Sequence, residues 1–175
     1  LDLEGGHQPM HSVDGRFTIV YNGEIFNAPE LRRELVARGH AFKTDHSDTE
    51  VLLNLYAERG PEMLERLNGM FAFVLLDRPN RRLFGARDRL GIKPLYFSLD
   101  HGEFRFASEV KSLLALPGQR RELDLQQAFH YFSFQCVPGP GSIFQGIEKL
   151  APATRFELDL RTKRFTQERY WRPRF

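Results

Sequence analysis

Asn22, Gly23 and Glu24 are consecutive residues whose groups could bind an ammonium and stabilise a developing negative oxygen. The Asn-Gly pair predicts a tight turn after a strand at residues 16–21, because both residues tolerate positive φ. Such a turn leaves backbone N–H groups free to bind an oxyanion, beside an amide donor and a carboxylate. A hairpin or connector turn with a solvated Glu explains the same three residues, and from the residues alone this is the favoured interpretation.

A second carboxylate, Asp48, lies in the first turn of a predicted helix. Ser47 and Glu50 have the spacing of a capping box, and an apolar face follows up to Gly60. An acidic residue there complements the helix dipole, which is the favoured interpretation from the residues alone. The alternative is that Asp48 is a second ligand carboxylate.

Composition limits the class of protein. The 175 residues suit one domain, and a net charge of +2, without a basic run, argues against a nucleic-acid partner. No apolar stretch approaches the roughly 20 residues that span a bilayer, so no membrane partner is expected. Cys136 is the only cysteine, which excludes an internal disulfide and a cysteine-rich zinc site. We expect no metal in this domain, a buried or half-buried Cys136 thiol and a cytoplasmic protein.

The predicted strands are short and mostly joined by hairpins, which indicates an α+β fold with antiparallel sheets. A second capping box, Asn27 with Glu30, is expected to begin the first helix. An extended arm is predicted at residues 135–146. The predicted helices cover residues 28–38, 48–59, 61–67, 108–114 and 125–134, and the strands cover 16–21, 41–44, 70–76, 82–86, 95–98, 104–107, 156–158 and 165–170.

A charged loop, Arg87-Asp88-Arg89, follows the predicted strand at residues 82–86 and precedes a Gly and a Pro. The alternation of charge predicts an ion-pair network that braces the loop, and we prefer this structural role to catalysis.

Several of these phrases occur in the order found in one family. Together they closely resemble the glutamine amidotransferase domain of the glutamine-dependent asparagine synthetases, over essentially the whole chain. The phrases are residues 21–27 (YNGEIFN), 47–50 (SDTE), 69–73 (GMFAF), 86–96 (ARDRLGIKPLY), 106–111 (FASEVK), 137–147 (VPGPGSIFQGI) and Tyr170-Trp171.

The resemblance implies a four-layer α-β-β-α sandwich of the N-terminal-nucleophile hydrolase type. In that family an N-terminal cysteine attacks the side-chain amide of glutamine, with its own α-amine as the base. By position, Asn22 and the Gly23 N–H form the oxyanion hole, and Glu24 and Asp48 hold the α-ammonium of glutamine. Arg87 and Asp88 are then scaffold residues.

The resemblance also implies parts that these 175 residues do not match. Residue 1 is Leu, so we expect the fold to be N-terminally incomplete and to lack the nucleophile and the Arg that holds the glutamine carboxylate. Residues 1–175 are thus expected to be a partial amidotransferase domain that is itself inactive. Residues 170–175 would begin the connection to an absent synthetase domain, which would use ATP and Mg²⁺. Whether the protein forms a homodimer is an open question at this point.

Two alternatives remain from the sequence. One is a degenerate scaffold domain in an ATP-dependent amide-forming enzyme of the β-lactam-synthetase type; intact Asn22, Gly23, Glu24 and Asp48 argue against it. The other is an amidotransferase of a sugar-aminating or purine-pathway enzyme, which residues 137–140 and Tyr170-Trp171 disfavour.

Overall fold

The structure, a computed structural model, describes residues 6–100 and 102–173. The strands are β1 Met10–His11, β2 Phe17–Ile25, β3 Gly69–Asp77, β4 Arg82–Arg87, β5 Tyr96–Asp100, β6 Glu103–Ala107, β7 Glu148–Lys149, β8 Thr154–Asp159 and β9 Phe165–Arg169. The helices are α1 Ala28–Ala37, α2 Asp48–Arg59, α3 Val110–Leu114 and α4 Leu125–Phe134, with a 3-10 helix at Gly60–Glu65.

The strands form two antiparallel sheets. The large sheet has six strands in the order β1-β2-β3-β4-β8-β9, and the small sheet has the order β6-β5-β7. β2 pairs with β3 along its whole length, from Phe17 opposite Asp77 to Ile25 opposite Gly69. The predicted α+β class with antiparallel hairpins is confirmed.

One face of the large sheet is covered by α1 and α2. Alternate residues of β2 point to this side, so Phe17, Ile19, Tyr21 and Ile25 are buried with apolar residues of both helices. In α1 the buried Leu31 and Leu35 are four residues apart and therefore share one face of the helix.

The other face of the large sheet packs on the small sheet. Ala72 and Val74 of β3 are buried there, while their neighbours on β3 are buried under the helices, as a continuous apolar run predicts. Phe104 is at the centre of an aromatic cluster, with ring centroids 5.2 Å from Phe156 and 5.6 Å from Phe165.

Beyond the sheets, α4 begins where the Asp124 carboxylate accepts bonds from two backbone N–H groups of the first turn. None of the residues of α4 is buried, and Phe132 is 83% exposed. Cys136 follows α4 and is exposed, so the prediction of a buried or half-buried thiol was wrong. Among the residues described, no helix is long and apolar enough to cross a membrane.

The predicted turn at Asn22-Gly23 was wrong, because both residues lie inside β2. Gly23 is opposite Phe71, and a Cβ on Gly23 would lie 2.2 Å from the Met70 carbonyl oxygen. Glycine is therefore required here for the close approach of two strands rather than for a turn.

The capping boxes predicted for α1 and α2 are replaced by other bonds. The Glu50 carboxylate accepts from the backbone N–H groups of Lys43 and Thr44, at 2.6 and 2.9 Å. This bonding holds residues 41–44 in irregular structure, so the short strand predicted there was wrong. The Asn27 side chain bonds the backbone of Arg66 and Asn68. Both side chains satisfy backbone groups of neighbouring segments.

Candidate functional site

The candidate site lies at the C-terminal end of β2, where the sequence placed it. The side chains of Asn22 and Glu24 share the face of β2 that is turned towards the small sheet. The Asp48 carboxylate reaches the strand from α2, on the opposite face. The four residues proposed from the sequence are thus gathered around one short stretch of strand.

The amide of Asn22 is held across the gap between the sheets. Its Nδ2 donates to the hydroxyl oxygen of Ser108, which directly follows β6, at 3.1 Å. An amide nitrogen carries two hydrogens, so this bond orients the group and leaves the second hydrogen for a ligand. A cavity of about 140 Å³ opens beside the pair, lined mainly by apolar residues of both sheets.

The Gly23 N–H faces the side of β2 away from β3. The backbone of Phe71, its partner, is bonded to Asp88 instead: the Phe71 N–H donates to the carboxylate at 3.2 Å, and the Phe71 carbonyl accepts from the Asp88 N–H at 2.8 Å. In an antiparallel ladder, hydrogen-bonded and non-bonded pairs alternate. Gly23 and Phe71 therefore form a non-bonded pair, and the Gly23 N–H points outward.

The groups on either side of the Gly23 N–H are occupied by side chains. Gln8 extends the short strand β1: its Oε1 accepts from the Tyr21 N–H at 2.5 Å, and its Nε2 donates to the Tyr21 carbonyl at 2.8 Å. At the next outward-facing position, the Ile25 N–H donates to Asp48 Oδ2 at 3.1 Å.

The two carboxylates of the site differ in their surroundings. Asp48 is half-buried, and its Oδ2 accepts a second bond from the Tyr21 hydroxyl at 2.6 Å. Glu24 is exposed. Burial raises the pKa of Tyr21, and the hydrogen bond to Asp48 and the charge of Glu24 raise it further. The tyrosine hydroxyl is therefore a protonated donor within electrostatic reach of both carboxylates.

Arg87 and Asp88 brace the loop beside the site, but through backbone groups rather than through the predicted ion-pair network. The buried Arg87 guanidinium donates to the carbonyls of Gly91, Lys93 and Leu150 at 2.6–2.7 Å. The Asp88 carboxylate accepts from three N–H groups of the loop as well as from Phe71. Burial lowers the pKa of Arg87.

Sequence reasoning missed three residues that position the site: Gln8 as a ladder partner, Tyr21 and Ser108. The strand pattern alone places Tyr21 on the helix side, but its partner is 27 residues away and that of Asn22 is 86 residues away. Within residues 6–100 and 102–173, no group of three or more His, Cys, Asp or Glu residues is arranged to hold a metal ion.

Comparison with known proteins defines the class. The model of the family described as the glutamine amidotransferase domain matches residues 1–171, so the chain belongs to this family.

Its curated relatives include glutamine-hydrolyzing asparagine synthetase 3 of Bacillus subtilis, to which it is 43% identical over 156 residues, 87% of this chain and 25% of that protein. A putative glutamine-hydrolyzing asparagine synthetase of Methanocaldococcus jannaschii is 35% identical over 188 residues, 98% of this chain and 36% of that protein. The chain thus spans about a quarter to a third of the length of these relatives.

Solved structures confirm the fold. The glutamine phosphoribosylpyrophosphate amidotransferase of B. subtilis is similar with a TM-score of 0.63 and 21% identity, over 95% of this chain and 32% of that one. A class-II glutamine aminotransferase domain protein of Silicibacter pomeroyi has a TM-score of 0.56 and 14% identity, over 94% and 72% of the two chains. The expected α+β fold with two antiparallel sheets is therefore shared with these amidotransferase structures.

Proposed function

We propose that this domain hydrolyses glutamine to glutamate and supplies ammonia for the ATP-dependent amidation of aspartate, as the glutaminase part of an asparagine synthetase. The observation that carries the proposal is the outward-facing Gly23 N–H, flanked by the oriented Asn22 amide and by Asp48. Membership of the glutamine amidotransferase family, and the glutamine-hydrolyzing asparagine synthetases among the relatives, support the substrate and the product.

In this proposal Asn22 Nδ2 and the Gly23 N–H donate to the oxyanion that forms when a nucleophile adds to the side-chain amide carbon of glutamine. Collapse of the tetrahedral species breaks the carbon–nitrogen bond and releases ammonia, which takes up the proton lost by the nucleophile, and water then hydrolyses the acyl intermediate to glutamate. Because both donors are fixed by other bonds before a ligand arrives, they need no reorganisation during the reaction. We assign no nucleophile within residues 1–175, and Cys136, on its exposed segment, is not a candidate.

Glu24 and Asp48 bind the α-ammonium of glutamine in this proposal. Two carboxylates at the same end of β2 match one ammonium with three N–H donors. ATP and Mg²⁺ would act in a synthetase domain that is the second partner of this one, and a reducing cytoplasm would suit the single unpaired cysteine. A non-catalytic scaffold is the alternative, but it does not require the donors and carboxylates that this site retains.

The test is the Asp48→Asn variant of the full-length protein, assayed for both glutamine-dependent and ammonia-dependent asparagine synthesis. A hydrogen bond to a charged group contributes about 1.5–3 kcal/mol, so the glutamine KM should rise about 10- to 150-fold. Ammonia-dependent synthesis should be unchanged, because it bypasses the glutamine site.

The matched control is Asp159→Asn. Asp159 accepts hydrogen bonds from two backbone N–H groups in the β8–β9 turn. Its backbone lies opposite that of Arg82 in the β4–β8 ladder, at the end of the sheet away from the site. An unchanged glutamine KM in Asp48→Asn, or an equal rise in the control, would contradict the assignment. Absence of glutamine-dependent synthesis in the unmodified full-length protein would favour the scaffold.

A further inference from the structure

Tyr21 is buried on the helix side of β2, one residue before Asn22, and is only 8% exposed. Its aromatic ring belongs to the core between the large sheet and the helices. Its hydroxyl makes a polar contact at the edge of this core. It donates to Asp48 Oδ2 at 2.6 Å, a length typical of a strong hydrogen bond to a charged acceptor.

The Asp48 carboxylate is consequently fixed at one oxygen. Oδ2 accepts from the Tyr21 hydroxyl and from the Ile25 N–H, while no residue in the described part of the chain donates to Oδ1. The two donors come from different atoms of β2, so together they restrict both the position and the rotation of the carboxylate. Oδ1 is left as the oxygen with which a ligand can pair.

We propose that Tyr21 is a positioning residue for the ligand ammonium: by holding Oδ2 of Asp48, it presents Oδ1 to the α-ammonium of glutamine. This inference rests on the proposed function and adds a residue to it. Tyr21 itself does not touch the substrate; it acts through Asp48.

The chemistry of a buried tyrosine suits this role. A phenol is a neutral donor, so it orients the carboxylate without cancelling the negative charge that attracts the ammonium. A Lys or Arg at the same place would form an ion pair with Asp48 and compete with the ligand. The rigid ring, packed in the core, sets the hydroxyl at one place on the strand.

The test is Tyr21→Phe in the full-length protein, which removes one oxygen atom and keeps the ring. The glutamine KM should rise roughly tenfold, because a loosened carboxylate loses part of a charge-assisted contact. The kcat of glutamine hydrolysis should stay within about twofold, because the oxyanion donors are unaffected. KM does not depend on the fraction of folded enzyme, so a partial loss of folded protein does not obscure the result.

Tyr56→Phe is a closely matched control. Tyr56 is also buried, and its hydroxyl donates to the Asp77 carboxylate at 3.0 Å, but Asp77 pairs with Phe17 at the far end of β2. The control loses the same group from the same core and should leave the glutamine KM unchanged. A similar rise in the glutamine KM in both variants would mean that loss of any buried tyrosine hydroxyl has this effect. That result would overturn the proposal.

The double variant Tyr21→Phe/Asp48→Asn separates action through Asp48 from any other effect. If Tyr21 acts through Asp48, the double variant should have the KM of Asp48→Asn alone. Multiplied effects would overturn the positioning role. An unchanged KM in Tyr21→Phe, beside a raised KM in Asp48→Asn, overturns this inference alone, whereas an unchanged KM in Asp48→Asn overturns the ammonium site and the role of Tyr21 together.

Discussion

Replacing Gly23 by alanine should force apart the two strands that carry the site. A Cβ at this position would lie 2.2 Å from the Met70 carbonyl oxygen and 2.7 Å from the Phe71 Cα. Comfortable contacts between such atoms are about 3.5 Å, so β2 and β3 must separate locally by about 1 Å. Both obstructing atoms are backbone, and no side-chain rotation can relieve the overlap.

The magnitude follows from the bonds next to Gly23. Because Gly23 and Phe71 are a non-bonded pair, the flanking pairs Asn22–Ala72 and Glu24–Met70 are the hydrogen-bonded ones. Losing two of their bonds costs about 1–3 kcal/mol, and the positive φ of Gly23 adds about 1–2 kcal/mol for an L-residue. Gly23→Ala should therefore lower the free energy of unfolding by about 2–5 kcal/mol.

Urea unfolding of the chain measures this loss, with Gly39→Ala as the control. Gly39 also has positive φ, 90°, but a Cβ there meets nothing within 4 Å, so that variant should lose only about 1–2 kcal/mol. In the full-length protein, Gly23→Ala should reduce kcat for glutamine hydrolysis more than it raises KM, because it displaces an oxyanion donor. Equal losses of stability in the two variants would refute the close-approach argument.

Three further predictions concern single groups. Asn22→Ala should lower kcat for glutamine hydrolysis by about 10²–10³-fold, with a smaller change in KM. The control Asn54→Ala, remote on α2, should leave kcat unchanged. An unchanged kcat in Asn22→Ala would exclude Asn22 from the oxyanion hole. Arg87→Lys should lower the free energy of unfolding by about 2–4 kcal/mol in a urea titration, because a single ammonium cannot reach three carbonyls; a loss below about 1 kcal/mol would contradict the bracing role. Tyr21 and Tyr56, which are buried, and Tyr170, which is half-buried, have raised pKa values in the folded state, so their contribution to stability is complete below about pH 10 and is lost as pH rises further. The phenolate absorbance of these three tyrosines should therefore appear together with unfolding, and Tyr56→Phe should reduce the slope of stability against alkaline pH.

Sequence reasoning predicted the parts of the fold that depend on local pattern. The hairpins of β3 with β4 and of β5 with β6 follow from apolar runs separated by turn residues, and both formed as expected. The extent of β2 was not predicted correctly. Asn22-Gly23 is a strong turn signal, but pairing with β3 at nine positions keeps both residues in an extended strand.

The caps failed for a related reason. Glu50 and Asn27 have local spacing suited to capping, yet each side chain bonds a segment that only the folded chain brings near. The gathering of Asn22, Gly23, Glu24 and Asp48 was predicted through the family resemblance. The bonds made by the side chains of Ser108, Tyr21 and Gln8 were not, because their partners lie on other elements. Local patterns specify elements; contacts between distant residues specify the details of the site.

The bonding along the outer side of β2 also affects how this sheet edge meets other chains. An open edge strand is a template on which another strand can add, and addition requires several consecutive free positions. Here the Gln8 side chain occupies both backbone groups of Tyr21, and Asp48 occupies the Ile25 N–H. Between these occupied groups, only the backbone of Gly23 is left free on this side of β2 by the residues that the structure describes. One free residue cannot pair with a strand of another chain, but its N–H can bind one ligand oxygen. The arrangement that prepares the edge for a small molecule thus also protects it from aggregation.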